Sequence, residues 1–170
     1  MKIFLIGFMG SGKTHWGKLL SEKLRMPLVD LDDKITEHTG VPIPEIFEKQ
    51  GEEYFRLLEK DLLHLFSENH ESFIMATGGG TPCFYNNIDY LKKQGIVVWL
   101  NTSTESLYQR LVKEKDKRPL IKNIADAELK SYIIKKYSSR KIFYQQANVI
   151  LPEENLSLDN LVSKIFHANA

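Results

Sequence analysis

Residues Gly7-Phe8-Met9-Gly10-Ser11-Gly12-Lys13-Thr14 follow the spacing G-x-x-x-x-G-K-[ST], directly after the apolar run Ile3 to Ile6. Few short segments restrict a fold as tightly. The glycines let successive backbone N–H groups turn inward around a phosphate. A lysine at this position reaches the β and γ oxygens of a nucleoside triphosphate, and the hydroxyl that follows can ligate Mg²⁺. Such a loop works between a strand and a helix N-terminus, and both are legible here. Ile3 to Ile6 reads as a short buried strand, while Trp16, Leu19, Leu20 and Leu24 recur at helical spacing. The pattern predicts an α/β chain that binds a nucleoside triphosphate through Gly10, Ser11, Gly12, Lys13 and Thr14. The plainer alternative is a glycine turn that only links strand to helix.

Four further apolar runs, Pro27 to Val29, Phe73 to Ala76, Ile96 to Leu100 and Val149 to Leu151, read as buried parallel strands. Helical patterns separate them. Glu52 to Phe66 places Phe55, Leu58, Leu62 and Leu65 on one face, and Thr104 to Val112 carries Leu107 and Leu111 behind a cap at Thr102 or Ser103. The alternation predicts a doubly wound, five-stranded parallel sheet flanked by helices, of the phosphate-loop NTPase type. Such sheets bind ligands beyond the carboxyl ends of their strands, where Gly7, Asp30, Gly78 and Asn101 would lie. The polar stretch Lys113 to Lys117 runs into Arg118-Pro119 and reads as part of a mobile lid over residues 113–123.

At 170 residues and 42% hydrophobic content, the chain has the size of one domain. Its 23 basic and 22 acidic residues nearly cancel, which argues against nucleic-acid or anionic-membrane partners and favours small polar ligands acting on a monomer. Cys83 is the only cysteine, so no internal disulfide forms and a reducing cytoplasm is expected. The apolar stretch after Lys2 is too short for a signal sequence, and the five histidines show no zinc-ligand spacing.

Asp30 and Asp32 end the second strand, where alternation would aim both carboxylates at the phosphates; the alternative is a helix cap made by Asp32 or Asp33. Arginine is scarce, five residues among 23 basic ones, so lysine is the default surface cation. Arg56, Arg110, Arg118 and Arg140 therefore invite a search for a carboxylate or phosphate that needs a planar fork. On a helix, Arg140 would lie within about 20° of Leu129 and Ile133 and project from an apolar face. Either an anion awaits it, or its stem packs there beneath a snorkelling head. The run Gly78-Gly79-Gly80 after a strand admits backbone approach that no side-chain-bearing residue would allow.

Together Asp30-Leu31-Asp32, Gly51-Glu52-Glu53-Tyr54-Phe55-Arg56, Thr77-Gly78-Gly79-Gly80 and Arg118-Pro119-Leu120 resemble the shikimate kinases, in family order and across nearly the whole chain. The resemblance implies transfer of the γ-phosphoryl group of ATP to the 3-hydroxyl of shikimate, with Mg²⁺ held by Thr14 and Asp30. It gives Lys13, Asp32 and Arg118 catalytic roles. Asp32, Arg56, Gly78, Gly79, Gly80 and Arg140 would bind shikimate, and Arg110 and Pro152 would join Arg118 and the phosphate loop in binding ATP. Thr81-Pro82 and Cys83 depart from the commoner family pattern, and Cys83 falls near the expected substrate pocket. A gluconate or nucleoside monophosphate kinase would share the phosphate loop and the lid, but would not need the other elements together. No N-K-x-D segment supports a guanine-binding switch, and Lys13, Thr14 and Asp32 are all present, unlike in a degenerate nucleotide binder.

Overall fold

The three central strands of the sheet are runs of buried apolar side chains, whereas the edges are more open, with Ile150 exposed. β1 (Lys2–Ile6), β2 (Leu28–Asp30), β3 (Phe73–Ala76), β4 (Ile96–Asn101) and β5 (Val149–Pro152) pair in parallel in the order β2-β3-β1-β4-β5. The computed structural model describes residues 1–118 and 120–170; Pro119, within the expected Arg118-Pro119-Leu120 element, lies outside them. Alternation along β1 divides the core in two. Ile3 and Leu5 pack with Leu20 of α1 (Lys13–Leu24) and with Leu161 and Ile165 of α7 (Leu158–Ala168). Phe4 and Ile6 face the opposite layer, which holds Leu31 and Ile35 of α2 (Leu31–Thr39), Leu63 of α3 (Ile43–Asn69) and Leu91 of α4 (Asn87–Gln94). The same layer receives Leu107 and Leu111 of α5 (Thr104–Glu114) and Leu129 and Ile133 of α6 (Asp126–Tyr144).

The chain runs outward from β1 to β2, returns to β3, and crosses to β4 on the other side. The crevice where strand order reverses therefore opens above the end of β1, where the phosphate loop begins.

Several boundaries differ from expectation for local reasons. β2 is shifted by one residue and ends at Asp30, so Asp32 lies in the first turn of α2 and not on the strand. α3 begins at Ile43, well before Glu52, and is broken at Gly51, whose φ of 85° an L side chain rarely adopts. Leu65 is 57% exposed while Leu63 is fully buried. The buried face of α3 is centred on Phe55, Glu59, Leu62 and Leu63, and Leu65 sits roughly 100° round the helix from that centre. The cap of α5 is Ser103, whose Oγ accepts from the Ser106 N–H at 3.2 Å. From α5 the chain passes through a 3₁₀ turn, Lys115–Lys117, and the buried side chain of Ile121 before entering α6.

Candidate active site

The phosphate loop closes on itself at the N-terminus of α1. Gly12 occupies the helix cap with φ 90°, turning the chain so that the first N–H groups of α1 face the crevice. Lys13 folds back and donates from Nζ to the carbonyls of Gly7 at 2.7 Å and Phe8 at 3.1 Å. Burial lowers its ammonium to about 8, against the pull of Asp32 and Asp30 and with repulsion from Arg118 and Arg140.

Thr14 donates to Asp30 Oδ2 at 3.3 Å, and Asp30 Oδ1 accepts from the Asp32 N–H at 3.0 Å. The cap of α2 is thus Asp30, and not Asp32 or Asp33 as in the alternative reading of the sequence. Capping by Asp30 leaves the Asp32 carboxylate facing the crevice. Burial first, then Asp30 and Glu59, push Asp32 up to about 6, and burial also raises Asp30.

Two cavities meet here. One of about 310 Å³ is lined by Gly10, Gly12, Lys13, Thr14, Asp30, Asp32 and Glu114 among others. Its neighbour, of about 270 Å³, is lined by Ile43, Pro44, Phe47, Phe55, Arg56, Glu59, Gly80 and Arg140 among others. Met9, Asp32, Gly78, Gly79 and Arg118 border both, so a group in one cavity can reach across to the other beside Asp32.

The arginines divide between these spaces. Arg140 is 8% exposed, projects from α6 on the face of Leu129 and Ile133, and rests over the Phe8 ring at 5.5 Å. Among the described residues no carboxylate lies within salt-bridge distance of it. Arg56 is differently placed. Its Nη1 donates to the buried Glu59 Oε1 at 3.0 Å and its Nε to Glu52 at 3.4 Å, while Phe84 lies 4.4 Å from the guanidinium carbon. The plane lies against Gly80 so closely that a Cβ there would come within 2.5 Å of Nη2.

Arg118 leaves the 3₁₀ turn and donates from Nε and Nη2 to Glu114 Oε2 at 2.9 and 2.7 Å. Arg110 lies on the far side of the phosphate loop, donating to the Gly10 carbonyl at 3.0 Å and to Glu153 at 3.1 Å. Glu153 follows Pro152 and accepts from the Ser103 N–H at 3.3 Å. Arg110 and Pro152 therefore share one rim of the loop.

Two residues at the site went unread in the sequence. Glu59 joins Arg56 to the glycine run, since its Oε2 accepts from Thr81 Oγ1 at 2.7 Å. Tyr144 is fully buried and donates to the Gly79 carbonyl. Helical spacing was the available signal: Glu59 lies three residues after Arg56 and Tyr144 four after Arg140. Cys83 lines a smaller adjoining cavity with Arg140 and Phe84, and burial pushes its thiol up to about 11. Among the described residues no cluster of three or more metal-ligating side chains occurs, and no helix is long and apolar enough to cross a membrane.

The sequence model of the family described as "Shikimate kinase" matches residues 9–169. A shikimate kinase from Azobacteroides pseudotrichonymphae is 37% identical over 164 residues, covering 96% of each chain. One from Bacteroides fragilis is 40% identical over 156 residues, covering 92% of this chain and 87% of its own. Among solved structures, the shikimate kinase of Bacteroides thetaiotaomicron superposes with a TM-score of 0.87 at 37% identity, covering 98% of this chain and 95% of the other. That of Acinetobacter baumannii, solved in complex with shikimate, gives 0.84 at 34% identity, with 98% and 90% covered. With this likeness running through the phosphate loop, the glycine run and the helix that carries Arg140, the chain belongs to the shikimate kinase family.

Proposed function

We infer that this chain is a shikimate kinase, moving the γ-phosphoryl group of ATP to the 3-hydroxyl of shikimate to give shikimate 3-phosphate and ADP on the route to chorismate and the aromatic amino acids. One observation carries the substrate class: a buried arginine, Arg140, faces a cavity that opens onto the phosphate loop beside Asp32. A cation withdrawn from water needs an anion, and the carboxylate of a small hydroxy acid supplies one. Phe47, Phe55 and Ile43 give the ring an apolar wall.

The residues divide the work as follows. Gly10, Ser11, Gly12 and Lys13 cradle the triphosphate, and Arg110 and Pro152 border the base. Asp32 accepts from the attacking hydroxyl and takes its proton, a task suited to a carboxylate raised to about 6 that is ionised at neutral pH. Arg118 and Lys13 spread over the oxygens of the transferring group, which is chiefly positioning and charge neutralisation. Arg140 binds the substrate carboxylate in two parallel hydrogen bonds. Arg56, already held by Glu59, offers its remaining N–H groups beside the Gly78-Gly79-Gly80 backbone.

Thr14 and Asp30 fit Mg²⁺. They already meet through Asp30 Oδ2, and a hydroxyl with one carboxylate is the sparse set that leaves this ion its waters and phosphate oxygens. When bound, the ion supplies neutralisation of the β and γ oxygens. The segment 113–123, with Ile121 buried within it, acts as a lid that closes to exclude water. The single domain acts as a cytoplasmic monomer; the near-cancelling charge and the lone, unreactive Cys83 support this.

Parallel assays with ATP and shikimate, gluconate or nucleoside monophosphates test the assignment. Phosphorylation of shikimate alone is expected. Preferential turnover of gluconate or a nucleotide would overturn it.

A further inference from the structure

Three consecutive glycines cannot hold their own conformation, so something outside the run must set the direction of its peptides. α6 does so at Gly79. Tyr144 and Arg140 lie four residues apart on one face of that helix. The tyrosine hydroxyl donates to the Gly79 carbonyl, while Arg140 Nη1 lies 3.1 Å from where a Cβ on Gly79 would stand. Tyr144 has no freedom to wander, since it is fully buried against Trp99 and Tyr137, with ring centroids 5.7 and 6.4 Å away. Burial also holds its hydroxyl far above the ordinary range, so it remains a donor.

The Gly79 carbonyl and the Gly80 N–H belong to one planar trans peptide and point in opposite directions. Fixing the carbonyl toward α6 aims that N–H away from α6. Among the described residues the Gly80 N–H has no acceptor, and Gly80 lines the cavity that Arg140 enters. A free backbone donor and a guanidinium are thus presented together by one helix.

We propose that Tyr144 is a positioning residue for substrate recognition. Its hydroxyl orients the Gly79–Gly80 peptide so that the Gly80 N–H and the Arg140 guanidinium jointly receive the shikimate carboxylate. The inference rests on the shikimate kinase reading above.

Tyr144→Phe keeps the ring and removes only the hydroxyl. It should raise the Kd and KM for shikimate about tenfold, with ATP affinity and kcat at saturating shikimate changed less than about twofold. The control is Tyr137→Phe in the same aromatic cluster, whose hydroxyl bonds Asn101 at 2.8 Å and not the glycine run. It should leave shikimate binding unchanged. In the wild-type protein the Gly80 amide should gain at least about tenfold protection from hydrogen exchange on binding shikimate. Unchanged shikimate affinity in Tyr144→Phe, an equal loss in Tyr137→Phe, or no added protection at Gly80 would each overturn the proposal. Failure of the wild-type chain to bind shikimate at all would remove the functional reading and this inference with it.

Discussion

Replacing Asp32 with asparagine should stabilise the folded chain while destroying its activity. The Asp32 carboxyl is raised from 3.8 to about 6 by burial and by the neighbouring Asp30 and Glu59, with Lys13 and Arg56 opposing. Unfolding exposes it to water and restores the ordinary value. Between 3.8 and about 6 the folded state therefore binds more protons than the unfolded chain, so stability is lost as pH rises through that window and stays lost above it. At about 1.36 kcal/mol per pH unit, this penalty is about 3 kcal/mol at pH 7.5 and shrinks to about 0.5 kcal/mol at pH 4.

Asparagine has nearly the same shape and no charge, and its amide can donate toward the carboxylates nearby. Asp32→Asn should therefore exceed wild type by about 2–3 kcal/mol at pH 7.5, a rise of about 1–1.5 M in the urea midpoint for a slope of roughly 2 kcal/mol/M. The advantage should nearly vanish at pH 4. Turnover should fall by about 10²–10⁴ through loss of the base. Equal midpoints at pH 7.5, or an advantage of the same size at both pH values, would show that Asp32 carries no buried-charge penalty. Retained turnover would show that it is not the base.

Three other outcomes follow from the same geometry. Arg140→Ala should weaken shikimate binding at least tenfold, from loss of a charge-assisted pair of about 1.5–3 kcal/mol, with Arg140→Lys recovering part of it. Calorimetry against shikimate and its carboxamide checks this, and equal binding of acid and amide by the wild type would sink the carboxylate pairing. Arg118→Ala should lower kcat more than it raises the shikimate KM, because its partner forms during transfer, and should leave stability within about 1 kcal/mol since its Glu114 pair is partly exposed; a pure KM effect in steady-state kinetics would contradict that. The pH profile of kcat/KM at low ATP should rise through about 6 as Asp32 loses its proton and fall through about 8 as Lys13 loses its own. At saturating ATP the falling limb should move upward, because the triphosphate stabilises the ammonium; an unmoved limb would take Lys13 away from the phosphates.

Local patterns determined much of this protein. The phosphate loop, five strands, the apolar face that carries Arg140 and the glycine run are written in contiguous residues, because periodicity and backbone freedom are properties of short segments. Cap identity was less legible. Asp30, Asp32 and Asp33 can all accept from a helix N-terminus, and a one-residue shift of β2 decided that Asp30 does so and that Asp32 is left over the crevice. Strand order was beyond sequence, since runs of valine, isoleucine and leucine do not specify their neighbours, yet β1 at the reversal point gives the phosphate loop its crevice. The state of each arginine was also decided only in three dimensions. Arg56 and Arg140 are the same residue type on helices, but Glu59 lies one turn from Arg56 and neutralises it, whereas Arg140 meets aromatic rings and glycine backbone. Whether a buried cation is paired depends on what long-range packing brings against it, and the sequence around Arg140 carries no record of Phe8 or Gly79.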